Sequence, residues 1–396
     1  TEVDTLSLHD ALPIFLIAVG YIAIILTWFF GSSDKVFYFS YLTSYFYWLS
    51  IILGGMFFIM VHYAFSATWS VSIRRIMENT IMLIPLFTLP FIPIIFGMEK
   101  LFKWLPNHYY WKTHDFEADY LIQHKLAYLN EDSFIFRAFL YFALWNIIAL
   151  FIYFNSMNHD KSGDIKILER LRYFCMSPMG VFFFISLTFA GLDWQMSLDP
   201  HWYSTMYGVY TFAGAFLAFL AFLTFTIIRL QDQGYLKDIV SIEHFHDLGK
   251  YLFAFTVFYC YIAGAQFYFI WYSNIPEETI WYLHRWVGSW KVISTLLIVG
   301  KFFIPFFILI FRGSKRNIRL LQVMAIWVLF MHYIDINFII MPTVHKQDFY
   351  FGIYDLITML SFALIFIGGF KYITTRSNLV PINDTELIHS INHRNH

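Results

Sequence analysis

Charge is the scarcest ingredient of this 396-residue chain: Asp, Glu, Lys and Arg together make up 13% of it. Soluble domains carry about a quarter. Twenty-six cations and twenty-seven anions cannot clothe a soluble protein of this length, while hydrophobic residues reach 59%. A soluble enzyme is therefore excluded, and so is disorder, which needs low hydrophobicity and high charge. No basic run accompanies the net charge of −1, so nucleic acid is not an expected partner. Cysteine is nearly absent too. Cys175 and Cys260 both lie in apolar stretches and form no disulfide framework, CxxC pair or CxxCH haem attachment site. What remains is an all-α polytopic membrane protein.

A bilayer core of ~30 Å requires roughly 20 mostly apolar residues per helix. Read on that scale, the chain holds about ten transmembrane helices, at 12–30, 36–66, 79–97, 137–157, 173–193, 202–229, 250–274, 287–311, 319–342 and 351–371. The third contains Pro85, Pro90 and Pro93, which should break its helix. Residues 1–11 fit no signal-peptide pattern, residues 12–373 form one integral membrane domain, and residues 374–396 are expected to be a cytoplasmic tail. Sixteen Lys and Arg fall on the side that holds both termini, nine on the other, and Lys301 lies within the membrane. The excess places both termini in the cytoplasm. The longest connection, 98–133, is aromatic and should pack over the outer face.

Three outward-facing strings are rich in polar and aromatic groups: Asp193-Trp-Gln-Met-Ser-Leu-Asp-Pro-His-Trp-Tyr-Ser-Thr205, Ile270-Trp-Tyr-Ser-Asn-Ile-Pro-Glu-Glu-Thr279, and His332-Tyr-Ile-Asp335 shortly before Met341-Pro342. Trp and Tyr favour membrane interfaces in any case. Taken together and in this order, however, the strings resemble the F-type integral membrane subunit of bacterial alternative complex III, a quinol:cytochrome c (electron acceptor) oxidoreductase of the respiratory chain. That subunit is a distant relative of the NrfD/PsrC-type quinol-interacting proteins. The resemblance runs from about Val36 to Lys371. It implies two four-helix bundles, spans two to five and six to nine, flanked by the first and last spans. It also implies residence in the bacterial cytoplasmic (inner) membrane. The implied partners are an NrfD-like quinol-binding subunit, an iron–sulfur protein, multihaem and monohaem cytochromes c, and in some assemblies a terminal oxidase. Menaquinol, haem c and iron–sulfur clusters are then expected in those subunits, with no cofactor on this chain.

The residues bear on the cofactor question separately. His62 lies ~39 Å along the inward-running second span and His332 ~20 Å along the outward-running ninth, depths that do not suit one iron. There are no thiolate sets for an iron–sulfur cluster. Intramembrane charge is the stronger signal, because each such group must be paired or hydrated. Lys301 lies ~21 Å into the eighth span and Asp335 ~9 Å below the outer end of the ninth. A snorkelling lysine stem climbs ~6 Å, enough to bring the two together with His332 nearby. Two readings stay open: a pair that fixes helix packing, or part of a proton relay. Glu78, three and four residues after Arg75 and Arg74, is either a helix-surface ion pair or a group that takes up protons. On the outer side Asp193, Asp199 and His201, with Arg285 and Asp355, are candidates for an exit cluster.

The function expected from this reading is scaffolding of a quinol-oxidising complex, with protons conducted through Lys301, Asp335, His332, Glu78, Asp193 and His201. Two alternatives are a stand-alone proton-coupled secondary transporter and a subunit that itself binds quinol, with His201 or Asp193 as proton acceptor. The resemblance assigns quinol oxidation to the paralogous subunit instead.

Overall fold

Among the described residues, ten helices are long and apolar enough to cross a bilayer, and 77% of the structure is helical. The structure, a computed structural model, describes residues 2–394, with backbone alone for residues 2–10. The expectation for residues 1–11 thus lies almost wholly outside the described side chains. The spans are α1 (Glu2–Gly31), α2 (Lys35–Ala64), α3 (Val71–Phe96), α4 (Glu131–Ser162), α5 (Met179–Trp194), α6 (Tyr207–Asp232), α7 (Ile242–Ser273), α8 (Trp290–Leu309), α9 (Ile318–Ile340) and α10 (Ile353–Thr374). The chain is a multi-pass membrane protein.

Two rings of four helices follow from the packing. Helices α2 to α5 close one ring and α6 to α9 the other, while α1 lies along α10, which leans on α2 and α3. The arrangement agrees with the bundles expected from the resemblance. Helices α2 and α6 form the shared spine, each with 83% of its apolar window buried inside the protein. Their approach is set by Gly54, where an added Cβ would lie 2.3 Å from the Ala215 carbonyl oxygen. Small residues let membrane helices approach backbone to backbone, since no hydrophobic effect drives them together in lipid. By contrast, α1 is only 17% buried and turns Phe29 and Phe30 outward, as a lipid-facing helix should.

Several boundaries differ from the sequence expectation. The third span starts at Val71 rather than 79, and its first segment, Val71–Ile81, is buried along its whole length. Arg74, Arg75 and Glu78 lower its hydropathy but are paired with one another and with Asp160 and Asp384, which lets the helix sink into the bundle. The prolines then break α3 into the short segments Ile84–Thr88, Leu89–Phe91 and Ile92–Phe96, as anticipated. Residues 173–176 are not part of the fifth span. They end a separate surface helix, Ile165–Met176, and the chain turns at Ser177 and Pro178 before α5.

The two ends of the bundle are distinct. At the loop face, residues 98–133 pack down through fully buried Trp104 and nearly buried His108. At the opposite end, the tail face, residues 375–394 are folded back onto the bundle instead of projecting from it. Asp384 pairs with Arg74 at 2.6 Å, Ser390 donates to the Trp69 carbonyl at 2.7 Å, and the His393 ring lies 2.6 Å from Asp247.

Candidate functional site

The second bundle is built around one buried ion pair. Lys301 Nζ lies 2.6 Å from Asp335 Oδ2, and each side chain is 2% exposed. Tyr210 on α6 and Tyr259 on α7 donate their hydroxyls to Asp335 Oδ1 at 2.5 and 2.6 Å. The Lys301 ammonium also sits 3.7 Å from the centre of the Tyr259 ring. All four helices of the ring thus converge on one carboxylate, which accepts from an ammonium and two phenols. Sequence reasoning brought Lys301 and Asp335 together but missed both tyrosines.

Local backbone chemistry sets the reach of Lys301. Residues Leu297–Phe303 form a π-helical turn within α8, and Pro305 follows it. A residue at 305 in a π register would donate to the carbonyl of residue 300, and proline has no N–H to give. The indole Nε1–H of Trp327 on α9 supplies that donor, 2.7 Å from the Gly300 oxygen. Gly300 keeps this contact close, because an added Cβ would lie 2.9 Å from the Met331 sulfur and push that side chain aside.

A polar seam leads from this pair toward the loop face. One turn from Asp335, His332 Nε2 contacts Ser50 Oγ on α2 at 2.8 Å, and Ser50 donates onward to the Tyr47 carbonyl at 2.8 Å. That order gives Nε2 the proton and leaves His332 Nδ1 as a buried acceptor with no partner among the described residues. Ser44 and Ser40 lie one turn apart farther along α2 toward the loop face. Ser44 meets Thr358 of α10 at 2.8 Å, and the Thr358 hydroxyl lies 2.8 Å from the Tyr354 carbonyl and 3.3 Å from that of Ser40. Asp355 completes the seam by accepting from Gly352 N–H at 2.8 Å through Oδ2. Its Oδ1, Ser40 Oγ, Thr43 Oγ1 and the Tyr333 hydroxyl are buried and make no close hydrogen bond among the described residues, although Ser40 lies beside Asp355 and Asn337 beside Tyr333. From Ser50 to Ser40 the seam runs ~15 Å along α2.

Glu78 forms a second buried centre at the tail face, in the first bundle. It is fully buried, which corrects the surface-pair reading. Arg75 and Ser156 lie 2.7 and 2.8 Å from one oxygen, Tyr63 donates to the other at 2.5 Å, and Arg74 lies 3.4 Å away. Arg75 also pairs with Asp160 at 2.5 Å. Tyr63 is thirteen residues past Ser50 on α2, so the two centres differ in depth by ~20 Å. His62 belongs to this lower level, beside Trp69, well away from His332.

The expected exit cluster does not assemble. Asp193 is saturated by a two-pronged contact from Arg137, at 2.8 and 3.0 Å, and by the Tyr141 hydroxyl at 2.8 Å. His201 lies 2.7 Å from Asp119, and Asp199 lies 4.0 Å from Lys103. Arg285 binds the Phe338 and Ile339 carbonyls at 2.9 and 2.7 Å, while Asp355 caps its own helix. These residues disperse because each had a nearer partner on an adjacent element. The first string nevertheless meets the segments that follow the second and third. Trp202 stacks on Trp281 at 4.4 Å, and the Arg285 guanidinium covers the other side of Trp281 at 3.4 Å while holding the end of α9.

Among the described residues, no group of three or more His, Cys, Asp or Glu side chains is placed to hold a metal ion. Compared with known proteins, the chain matches no family model and no curated protein.

Proposed function

We propose that this chain is an integral membrane subunit of a bacterial quinol:cytochrome c oxidoreductase of the alternative complex III type, and that it conducts protons as well as scaffolding the complex. In this reading it lies in the cytoplasmic membrane with the tail face inward. Its partners are an NrfD-like quinol-binding subunit, an iron–sulfur protein and cytochromes c, which carry the redox groups. The three motif strings support the assignment to that family. The observation that carries proton conduction is the four-helix convergence on Asp335 at the head of a seam of unpartnered polar atoms. Buried polar groups without protein partners are ordinarily satisfied by water. Water among Ser40, Thr43, Tyr333 and His332 would link Asp355 to the pair.

The pair itself has two states. With Asp335 ionised, Lys301 and the two phenols satisfy it. A proton delivered to Asp335 removes the counter-charge of Lys301, which must then be offset from elsewhere or lose its own proton. Such an element responds to the membrane potential and to charge changes in a partner subunit. Glu78, at the other depth, supplies the corresponding ionisable group on the inner side. Asp193 and His201 are engaged in structural pairs, which leaves them poorly suited to accept a quinol proton.

Purification from the native membrane in mild detergent tests the assignment. Multihaem cytochrome and iron–sulfur subunits should accompany the tagged chain, with quinol:cytochrome c reductase activity. A chain that purifies alone and catalyses ion-coupled uptake would instead establish the transporter reading.

A further inference from the structure

The surface helix Ile165–Met176 carries two faces. Leu171 and Cys175 turn inward and are buried, while Lys166, Arg170 and Tyr173 follow one another at helical spacing on the opposite side. With Phe151 of α4, the outward side lines a groove of about 560 Å³. The groove is shallow and open along the surface, a shape suited to an extended ligand rather than an enclosed one. Phe151 and Phe174 stack at 4.1 Å and form its apolar wall. The lining reaches Ser177, where the chain turns into α5, and Tyr173, Met176, Val181 and Phe182 around that turn are exposed. Cations thus mark one end and lipid-facing hydrocarbon the other.

We propose that this groove binds an anionic glycerophospholipid of the leaflet at the tail face, its phosphodiester held by Lys166 and Arg170 and an acyl chain laid along Tyr173 and the start of α5. An amphipathic helix at the membrane surface, with a basic pocket between spans, is the geometry that captures acidic headgroups. Charge favours a singly negative lipid. Glu169 shares the lining, so two cations and one anion leave one positive charge, which one phosphodiester neutralises. Glu169 is then placed to accept a hydrogen bond from a headgroup hydroxyl, as phosphatidylglycerol provides. Neither cation is used elsewhere: among the described residues Lys166 and Arg170 make no ion pair, and the nearby Asp160 belongs to Arg75.

The test is native mass spectrometry of the delipidated chain, titrated with dioleoyl-phosphatidylglycerol, -phosphatidylethanolamine or -phosphatidylcholine. The expected result is one tightly retained phosphatidylglycerol, preferred about tenfold over phosphatidylcholine. The double substitution Lys166→Gln/Arg170→Gln should abolish that preference, whereas Lys161→Gln/Arg172→Gln, outside the groove lining, should keep it. Excess inorganic phosphate should not displace the lipid. Equal retention of the lipids by the unmodified chain, or an undiminished preference in the Lys166/Arg170 variant, would overturn the proposal. Preference for phosphatidylethanolamine would overturn the anionic assignment, and displacement by inorganic phosphate would replace lipid with a soluble anion.

Discussion

Substituting Lys301 by methionine keeps most of the side-chain volume and removes the ammonium that lies 2.6 Å from Asp335. The carboxylate then retains only the Tyr210 and Tyr259 hydroxyls. A charge-assisted hydrogen bond contributes about 1.5–3 kcal/mol, and leaving one member of a buried pair unpaired destabilises by about 3–5 kcal/mol. Because the two phenols stay, the expected loss sits near the lower figure, about 3 kcal/mol. Asp335→Asn alone strands the ammonium against the Tyr259 ring and should destabilise by a similar amount. The double variant carries no buried charge, and its amide still accepts from the tyrosines. It should therefore recover most of the loss, giving a coupling energy of at least ~2 kcal/mol. Equilibrium unfolding of the four proteins in mixed detergent–SDS micelles measures this directly. Additive losses, with coupling below ~0.5 kcal/mol, would show that the two groups do not act as a pair and would refute the reasoning.

Three further outcomes follow from other parts of the fold. Glu78→Gln should destabilise by about 3 kcal/mol in the same assay, since it removes a fully buried counter-charge from Arg74 and Arg75; unchanged stability would contradict the buried network. Burial in the loop-face cap, reinforced by nearby Lys103, pushes the His108 imidazole down to about 4. The folded cap therefore binds fewer protons than the unfolded chain, so its stability is full above about pH 6.5 and declines as pH falls toward 4. Protection factors for hydrogen exchange in residues 98–133, corrected for the intrinsic pH dependence, should fall between pH 7 and 5, and His108→Gln should abolish that fall. On topology, a cysteine replacing the exposed Tyr203 should react with a periplasmic thiol reagent, and one replacing Ser162 should not; the reverse pattern would invert the assigned orientation.

The bilayer made much of this fold legible. A span needs about twenty apolar residues whatever its partners, so the ten helices and the break at Pro85, Pro90 and Pro93 could be read from the sequence. Intramembrane charge is expensive, which singled out Lys301 and Asp335 before their contact was visible. Tyr210 and Tyr259 gave no comparable signal, because the chain has 27 tyrosines and they are at home in any membrane interface. Arg137 stood at the outer end of the fourth span and counted only toward the charge balance, so its claim on Asp193 went unseen. The early start of α3 was hidden because hydropathy counts Arg74, Arg75 and Glu78 separately, although they are paired with one another and with Asp160 and Asp384 once folded. The tail has no periodic apolar pattern, and its docking depends on single contacts such as Asp384 with Arg74.

The central claim is that protons pass through the Lys301–Asp335 centre while quinol is oxidised elsewhere in the complex. The measurement that tests it most directly is the number of protons moved per electron by the purified complex in sealed vesicles, for the unmodified chain and for the assembled Lys301→Met/Asp335→Asn variant. The account predicts that the variant keeps quinol:cytochrome c turnover and translocates fewer protons per electron. An unchanged ratio in a fully assembled complex would contradict it and leave the pair as a packing element alone.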